Sequence, residues 1–111
     1  VFDENFHVQQ IGKNISSDEE NAQGEFIGMM RLCGSGPEVL KKFYHSSKEK
    51  YKTGPFQRAN TFQLAYITDI IQEMVDQSVV VHCVPIENGW KEIDTAEDFY
   101  NAKIWFKNTN V

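Results

Sequence analysis

The chain reads as a layered α/β domain, a mixed β-sheet carrying about three helices, on three observations. Two apolar runs at residues 24–33 and 78–85 have the composition of buried strands. Between them lie two segments whose apolar residues recur at helical spacing. A short polar run at 91–94 then passes directly into a third helical segment, so the order β-β-β-α-α-β-β-α points to a mixed sheet with helices packed on it. The length of 111 residues fits one domain over 1–111, and 41% hydrophobic with 13% aromatic content is enough for a packed core.

Val1-Phe2 and the run from His7 to Lys13 flank the turn-prone Asp3-Glu4-Asn5 and read as a hairpin, with Phe6 and Val8 on one face. A start inside a hairpin, with no methionine, is expected of a piece cut from a longer protein. Residues 14–23 are polar, centred on Ser16-Ser17-Asp18-Glu19-Glu20, and form a solvated loop. Residues 24–33 follow as the central strand, with Gly24 and Gly28 where another backbone approaches.

Gly34-Ser35-Gly36-Pro37 breaks that run, and Pro37 suits the first position of a helix capped near Ser35 or Gly36. From residue 38 to about 51, Val39, Leu40, Phe43, Tyr44 and Ser47 line one side. Lys41, Lys42, Lys48 and Lys50 lie on the other, as a solvated face. After the turn Lys52-Thr53-Gly54-Pro55, a second helix is expected over residues 61–76, with Ile67, Ile70, Ile71, Met74 and Val75 as its stripe. The β-branched run from Ser78 to Pro85 is a strand buried on both faces. The last helix, residues 96–106, packs Phe99, Tyr100, Phe106 and Ala102 back on the sheet.

A net charge of -5 and a pI near 5.1 leave no basic footprint, which argues against nucleic acid and against anionic membranes as partners. No run reaches the ~20 apolar residues of a membrane helix, and the chain is expected to be cytoplasmic. Cys33 and Cys83 lie far apart without metal-ligand spacing, so two buried or half-buried free thiols are expected.

The richest chemistry sits in Gly89-Trp-Lys-Glu-Ile-Asp94 and the helix after it. If 91–94 is extended, Glu92 and Asp94 leave the same face. Asp94 with Glu97, or Thr95 with Asp98, makes a capping box. Two carboxylates on one face are also a minimal grip for magnesium, which fills its other positions with water and phosphate oxygens. Elsewhere, Lys13 at a strand end can reach an anion, Glu25 on the central strand can accept from a substrate, and Trp90 can stack on a ligand. Asp69 interrupts an apolar stripe and lines a cleft or faces away from the core. His7, His45 and His82 are scattered, and Gly34-Ser35-Gly36 is too short for a dinucleotide or P-loop signature.

Asp3-Glu-Asn-Phe-His-Val-Gln-Gln-Ile-Gly-Lys13, Gly24-Glu-Phe-Ile-Gly28, Thr68-Asp69-Ile-Ile71 and Gly89-Trp-Lys-Glu-Ile-Asp-Thr-Ala-Glu-Asp98 occur in an order that resembles the C-terminal half of nucleotidyltransferases of the sugar-phosphate and phosphocholine cytidylyltransferase type. The likeness covers nearly the whole chain. It implies a partial nucleotidyltransferase-like domain of glycosyltransferase-A-like architecture. There a phosphorylated or phosphonate acceptor attacks the α-phosphate of a magnesium-bound nucleoside triphosphate and releases pyrophosphate. The resemblance makes Asp94 the metal ligand, assisted by Glu92, and Lys13 the catalytic lysine that contacts the acceptor. It places Glu25 and Asp69 near the acceptor pocket, with Trp90 as a further acceptor-binding candidate.

Nothing in the chain matches that family's glycine-rich triphosphate loop or its other metal-binding aspartate. A chain with the acceptor side alone is expected to hold magnesium and nucleotide weakly and to be inactive by itself. The competing expectation is a non-catalytic α/β module whose exposed sheet edge is covered by self-association, a homodimer first of all.

Overall fold

The computed structural model describes residues 1–13 and 21–109. It contains α1 (Gly36–Lys50), a short 3-10 turn (Phe62–Leu64), α2 (Ile67–Asp76) and α3 (Ala96–Asn108). Among the described residues there is no sheet, only isolated antiparallel bridges joining Phe2 to Val8, His7 to His82 and Phe56 to Ala59. The expected layered mixed sheet is therefore not formed. Most of the solvated loop expected over 14–23 lies outside the described residues.

Both runs depart from strand geometry. Gly28, in the middle of the expected central strand, has φ +80, a left-handed conformation that a strand cannot carry. Ser78 has φ 65 at the other run, and Pro85 lacks an amide to donate. Of that second run, Val81 accepts the Val8 amide at 2.8 Å and Cys83 donates to Phe6 at 2.6 Å. Apolar and β-branched composition gives a segment the capacity to pair, but a ladder also needs a neighbour in register.

The helices form where their signals lie. Pro37 stands in the first turn of α1, Glu38 is the acidic residue there, and Lys48 and Lys50 occupy the last turn, each suited to the helix dipole. The second helix begins later than its stripe suggests: Phe62–Leu64 is a 3-10 turn, Ala65 and Tyr66 are extended, and α2 starts at Ile67. Phe56, Ile70 and Ile71 form the buried cluster, with Leu40 and Phe43 of α1, Tyr51, Phe62, Ile11 and Val81 packed on it. Burying each such side chain contributes about 1.5–3 kcal/mol, so this small cluster holds α1 on α2.

The third helix is not packed back on anything comparable. Ala102 is buried, whereas Phe99, Tyr100 and Phe106 are exposed, because the sheet they were expected to cover does not form; Ile104 is exposed as well. Cys33 is exposed and Cys83 half-buried, so the first thiol departs from expectation. Among the described residues no helix is long and apolar enough to cross a membrane.

Candidate functional site around Lys13 and Asp69

Two stripes run along α2, and each is largely buried. Of the expected apolar one, Ile70, Ile71 and Met74 are buried, Val75 is half-buried and Ile67 is exposed; Asp69, Gln72 and Glu73 are polar and equally hidden. Asp69, Gln72, Glu73 and Asp76 recur at helical i, i+3, i+4, i+7 spacing, so they share a face. Together its members reach residues 9–11, Tyr51 and the 56–59 turn. Burying carboxylates and amides is costly unless every lone pair and proton finds a partner. Among the described residues no buried side-chain nitrogen or oxygen lacks one.

Asp69 is the first member. Its Oδ2 accepts the Tyr66 amide at 2.8 Å, closing the N-terminus of α2, and its Oδ1 accepts the Arg58 amide at 3.3 Å. Gln72 accepts the Ile11 amide at 2.8 Å and donates to the Gln9 carbonyl at 3.3 Å and to Asp76 at 2.8 Å. Glu73 accepts from the Tyr51 hydroxyl at 3.3 Å, from Gln57 at 2.8 Å and from Gln77 at 2.8 Å. Lys50 lies 3.9 Å from the same carboxylate, and its pKa is raised first by the Tyr51 side chain and then by Glu73.

Residues 56–59 form a tight turn at this face. The amides and carbonyls of Phe56 and Ala59 are paired both ways, at 3.0 and 2.9 Å. Gln57 at its tip has φ 51, uncommon for a side-chain-bearing residue. Its Nε2 is clamped by Glu73 at 2.8 Å and Asp76 at 2.9 Å, which holds the backbone in that conformation. Beside it, Arg58 donates from Nη1 to the Ile11 carbonyl at 2.9 Å.

Lys13 completes this corner. Its ammonium stands 4.3 Å from the centre of the Tyr66 ring, a cation–π contact at an exposed position. The structure thus brings together Lys13 and Asp69, two residues singled out in the sequence, with Tyr66 as the link. Asp69 lies neither in an open cleft nor on the far side of its helix; it is a buried acceptor that fixes backbone.

Glu92 and Asp94 remain exposed. The cap of α3 is made by Thr95 and Asp98: the Thr95 oxygen accepts the Asp98 amide at 3.1 Å, and Asp98 Oδ2 accepts the Thr95 amide at 2.9 Å and its hydroxyl at 2.7 Å. Asp94 contributes only its amide, donated to Asp98 at 3.2 Å, so its carboxylate is not used in the cap. The Thr95 hydroxyl, then the amides of Thr95 and Asp94, hold the Asp98 carboxyl below its usual range. Among the described residues no cluster of three or more acidic, histidine or cysteine side chains is placed to hold a metal ion. Glu92 and Asp94 offer two exposed carboxylates two residues apart in the sequence, ahead of the cap.

Glu25 is exposed and Trp90 half-buried, and no hydrogen bond or ring contact among the described residues ties either to the Lys13 corner. Arg58, Gln57, Gln72 and Glu73 were not singled out in the sequence. The signal that finds Gln72 and Glu73 is the polar stripe of α2, which has the same spacing as the apolar one; Gln57 and Arg58 lie in the 56–59 turn and carry no such signal. No protein-family model matches this chain, and searches of curated proteins and of solved structures returned no match.

Proposed function

We propose that this chain supplies the acceptor side of a magnesium-dependent nucleotidyltransferase that joins a nucleotidyl group to a phosphorylated or phosphonate acceptor with release of pyrophosphate. One observation carries the reading. Thr95 and Asp98 close the α3 cap between themselves, which leaves the Asp94 carboxylate, two residues from that of Glu92, in solvent at the mouth of the helix. Magnesium held there would neutralise charge on a triphosphate. Lys13, exposed and steadied on Tyr66, is a cation suited to an acceptor phosphate. Glu25, a carboxylate able to accept from a substrate and near the acceptor pocket by resemblance, and Trp90, a ring able to stack on a ligand, are further acceptor-binding candidates.

The test is a thermal-shift and calorimetric titration of the chain with magnesium, CTP and phosphocholine. A stabilisation by magnesium plus CTP that Asp94→Ala removes, and a phosphocholine response that Lys13→Ala removes, support the reading. No response to any combination, in a chain that is folded by circular dichroism, overturns it for the chain alone.

A second reading, a non-catalytic self-associating module, is favoured by the apolar surface. Met29, Val80 and Val84 are 70%, 69% and 77% exposed, and Tyr100 and Ile104 lie open on α3. Sedimentation of a discrete dimer that ignores magnesium and CTP would support this module instead.

A further inference from the structure

We infer that Arg58 is the positioning residue for Lys13, holding the backbone next to that lysine so that its ammonium is presented over Tyr66. The inference rests on the proposed role of Lys13 as the acceptor-facing cation, and it concerns how that cation is kept in place.

A closed circuit of contacts links the two residues. The Arg58 guanidinium donates to the Ile11 carbonyl at 2.9 Å, while the Ile11 amide is held by Gln72 at 2.8 Å. Both backbone groups of Ile11 are therefore fixed by side chains. The next residue, Gly12, has φ +146, and a Cβ there would lie 2.7 Å from Arg58 Nη1, so the guanidinium lies directly over the glycine. Lys13 follows, 4.3 Å from the Tyr66 ring. The circuit returns through one buried carboxylate, because Asp69 takes the Tyr66 amide on one oxygen and the Arg58 amide on the other.

The turn that delivers Arg58 is over-determined. Gln57 has a left-handed backbone, is locked by Glu73 and Asp76, and sits between the paired residues Phe56 and Ala59. A strained residue persists only where its surroundings hold it, and such positions concentrate at sites where geometry matters. A lysine has four rotatable side-chain bonds and no fixed geometry of its own, so its presentation depends on a defined backbone beneath it. Arg58 supplies that definition from outside the local segment, and glycine at position 12 gives the guanidinium room to do so.

The experiment is NMR of the full chain with ¹³C-dimethylated lysines, which keep their charge. The Lys13 methyl signal, identified by its loss in Lys13→Arg, is expected upfield of the other lysines because of the Tyr66 ring, and Tyr66→Leu abolishes that offset. Arg58→Ala should collapse the offset and weaken the phosphocholine-induced shift roughly tenfold, within what misplacing a binding group by about an ångström costs. Arg58→Lys, which keeps a donor within reach of Ile11, should restore part of both.

An offset unchanged in Arg58→Ala overturns the inference, whatever phosphocholine does. If the offset depends on Arg58 but the unsubstituted chain ignores phosphocholine, the positioning role stands and the acceptor reading falls. Should Arg58→Ala fail to fold, Arg58→Met decides, since it keeps the aliphatic stem and the residue-58 amide on Asp69 while removing the guanidinium donor to Ile11. A retained offset in that variant overturns the inference, and a lost one supports it.

Discussion

The side-chain carbonyl of Gln72 accepts the amide of Ile11 at 2.8 Å across 61 residues of sequence, and its amide nitrogen donates back to the Gln9 carbonyl at 3.3 Å. One glutamine thus meets the amide and carbonyl of alternate residues, as a neighbouring strand would. Gln72 does this from a helix. The N-terminal segment gains a fixed place without joining a sheet.

Removing that side chain leaves the Ile11 amide and the Gln9 carbonyl without this partner near the core. Gln72→Leu is expected to destabilise the fold by about 1–3 kcal/mol, the usual cost of stranding buried polar groups. Urea denaturation followed by circular dichroism measures it. Faster amide exchange at Ile11, with exchange in α1 unchanged, is the accompanying local signature.

Asp69→Ala removes the acceptor for both Tyr66 and Arg58. The expected loss is about 2 kcal/mol, together with fraying of the first turn of α2. Hydrogen exchange across the start of that helix reports it. A stability within a few tenths of a kcal/mol of the parent would contradict the role given to Asp69.

Phe56 is fully buried and meets Tyr51 and Phe62 in tilted ring contacts at centroid distances of 5.0 and 5.2 Å. Truncation to alanine at such a site costs about 3–5 kcal/mol. In a core this small that is a large share of the total, so Phe56→Ala should be largely unfolded by near-ultraviolet circular dichroism.

Acid should act on α3 through Asp98. Its folded-state pKa lies below the ordinary aspartate value, first because of the Thr95 hydroxyl. A depressed value means that the cap's contribution is fully present above the unfolded-state pKa of about 3.9 and is lost as pH falls through the lower folded-state value. Far-ultraviolet circular dichroism should show a loss of helix below about pH 4 that is smaller in Asp98→Asn. At neutral pH Asp98→Asn and Thr95→Ala should each already have a weaker α3, the second by about 1 kcal/mol.

The starts of α1 and α3 were legible because their signals are local, whereas the start of α2 was not. Pro37 marks the first turn of α1, and of the two capping boxes the sequence offered for α3, Asp94/Glu97 and Thr95/Asp98, the second forms. The residues that build the Lys13 corner were not, apart from Lys13 and Asp69 themselves. Polar side chains at i, i+3, i+4 and i+7 ordinarily face water, and on α2 three of the four do not.

Sequence alone determined that three helices follow residue 35, that the second carries an apolar stripe, and that Glu92, Asp94 and Lys13 are available as charged groups; it did not determine that the second helix starts at Ile67 or that it carries a buried polar stripe. It could not determine pairing. Residues 24–33 and 78–85 carry the composition of strands, yet Gly28 and Ser78 adopt positive φ and no ladder forms among the described residues. A ladder depends on a second segment arriving in register, which lies outside any local window. Burial of the polar stripe was decided in the same way. Asp69, Gln72 and Glu73 are tolerated inside because turn 56–59, the 9–11 segment and Tyr51 arrive from elsewhere in the chain to satisfy them.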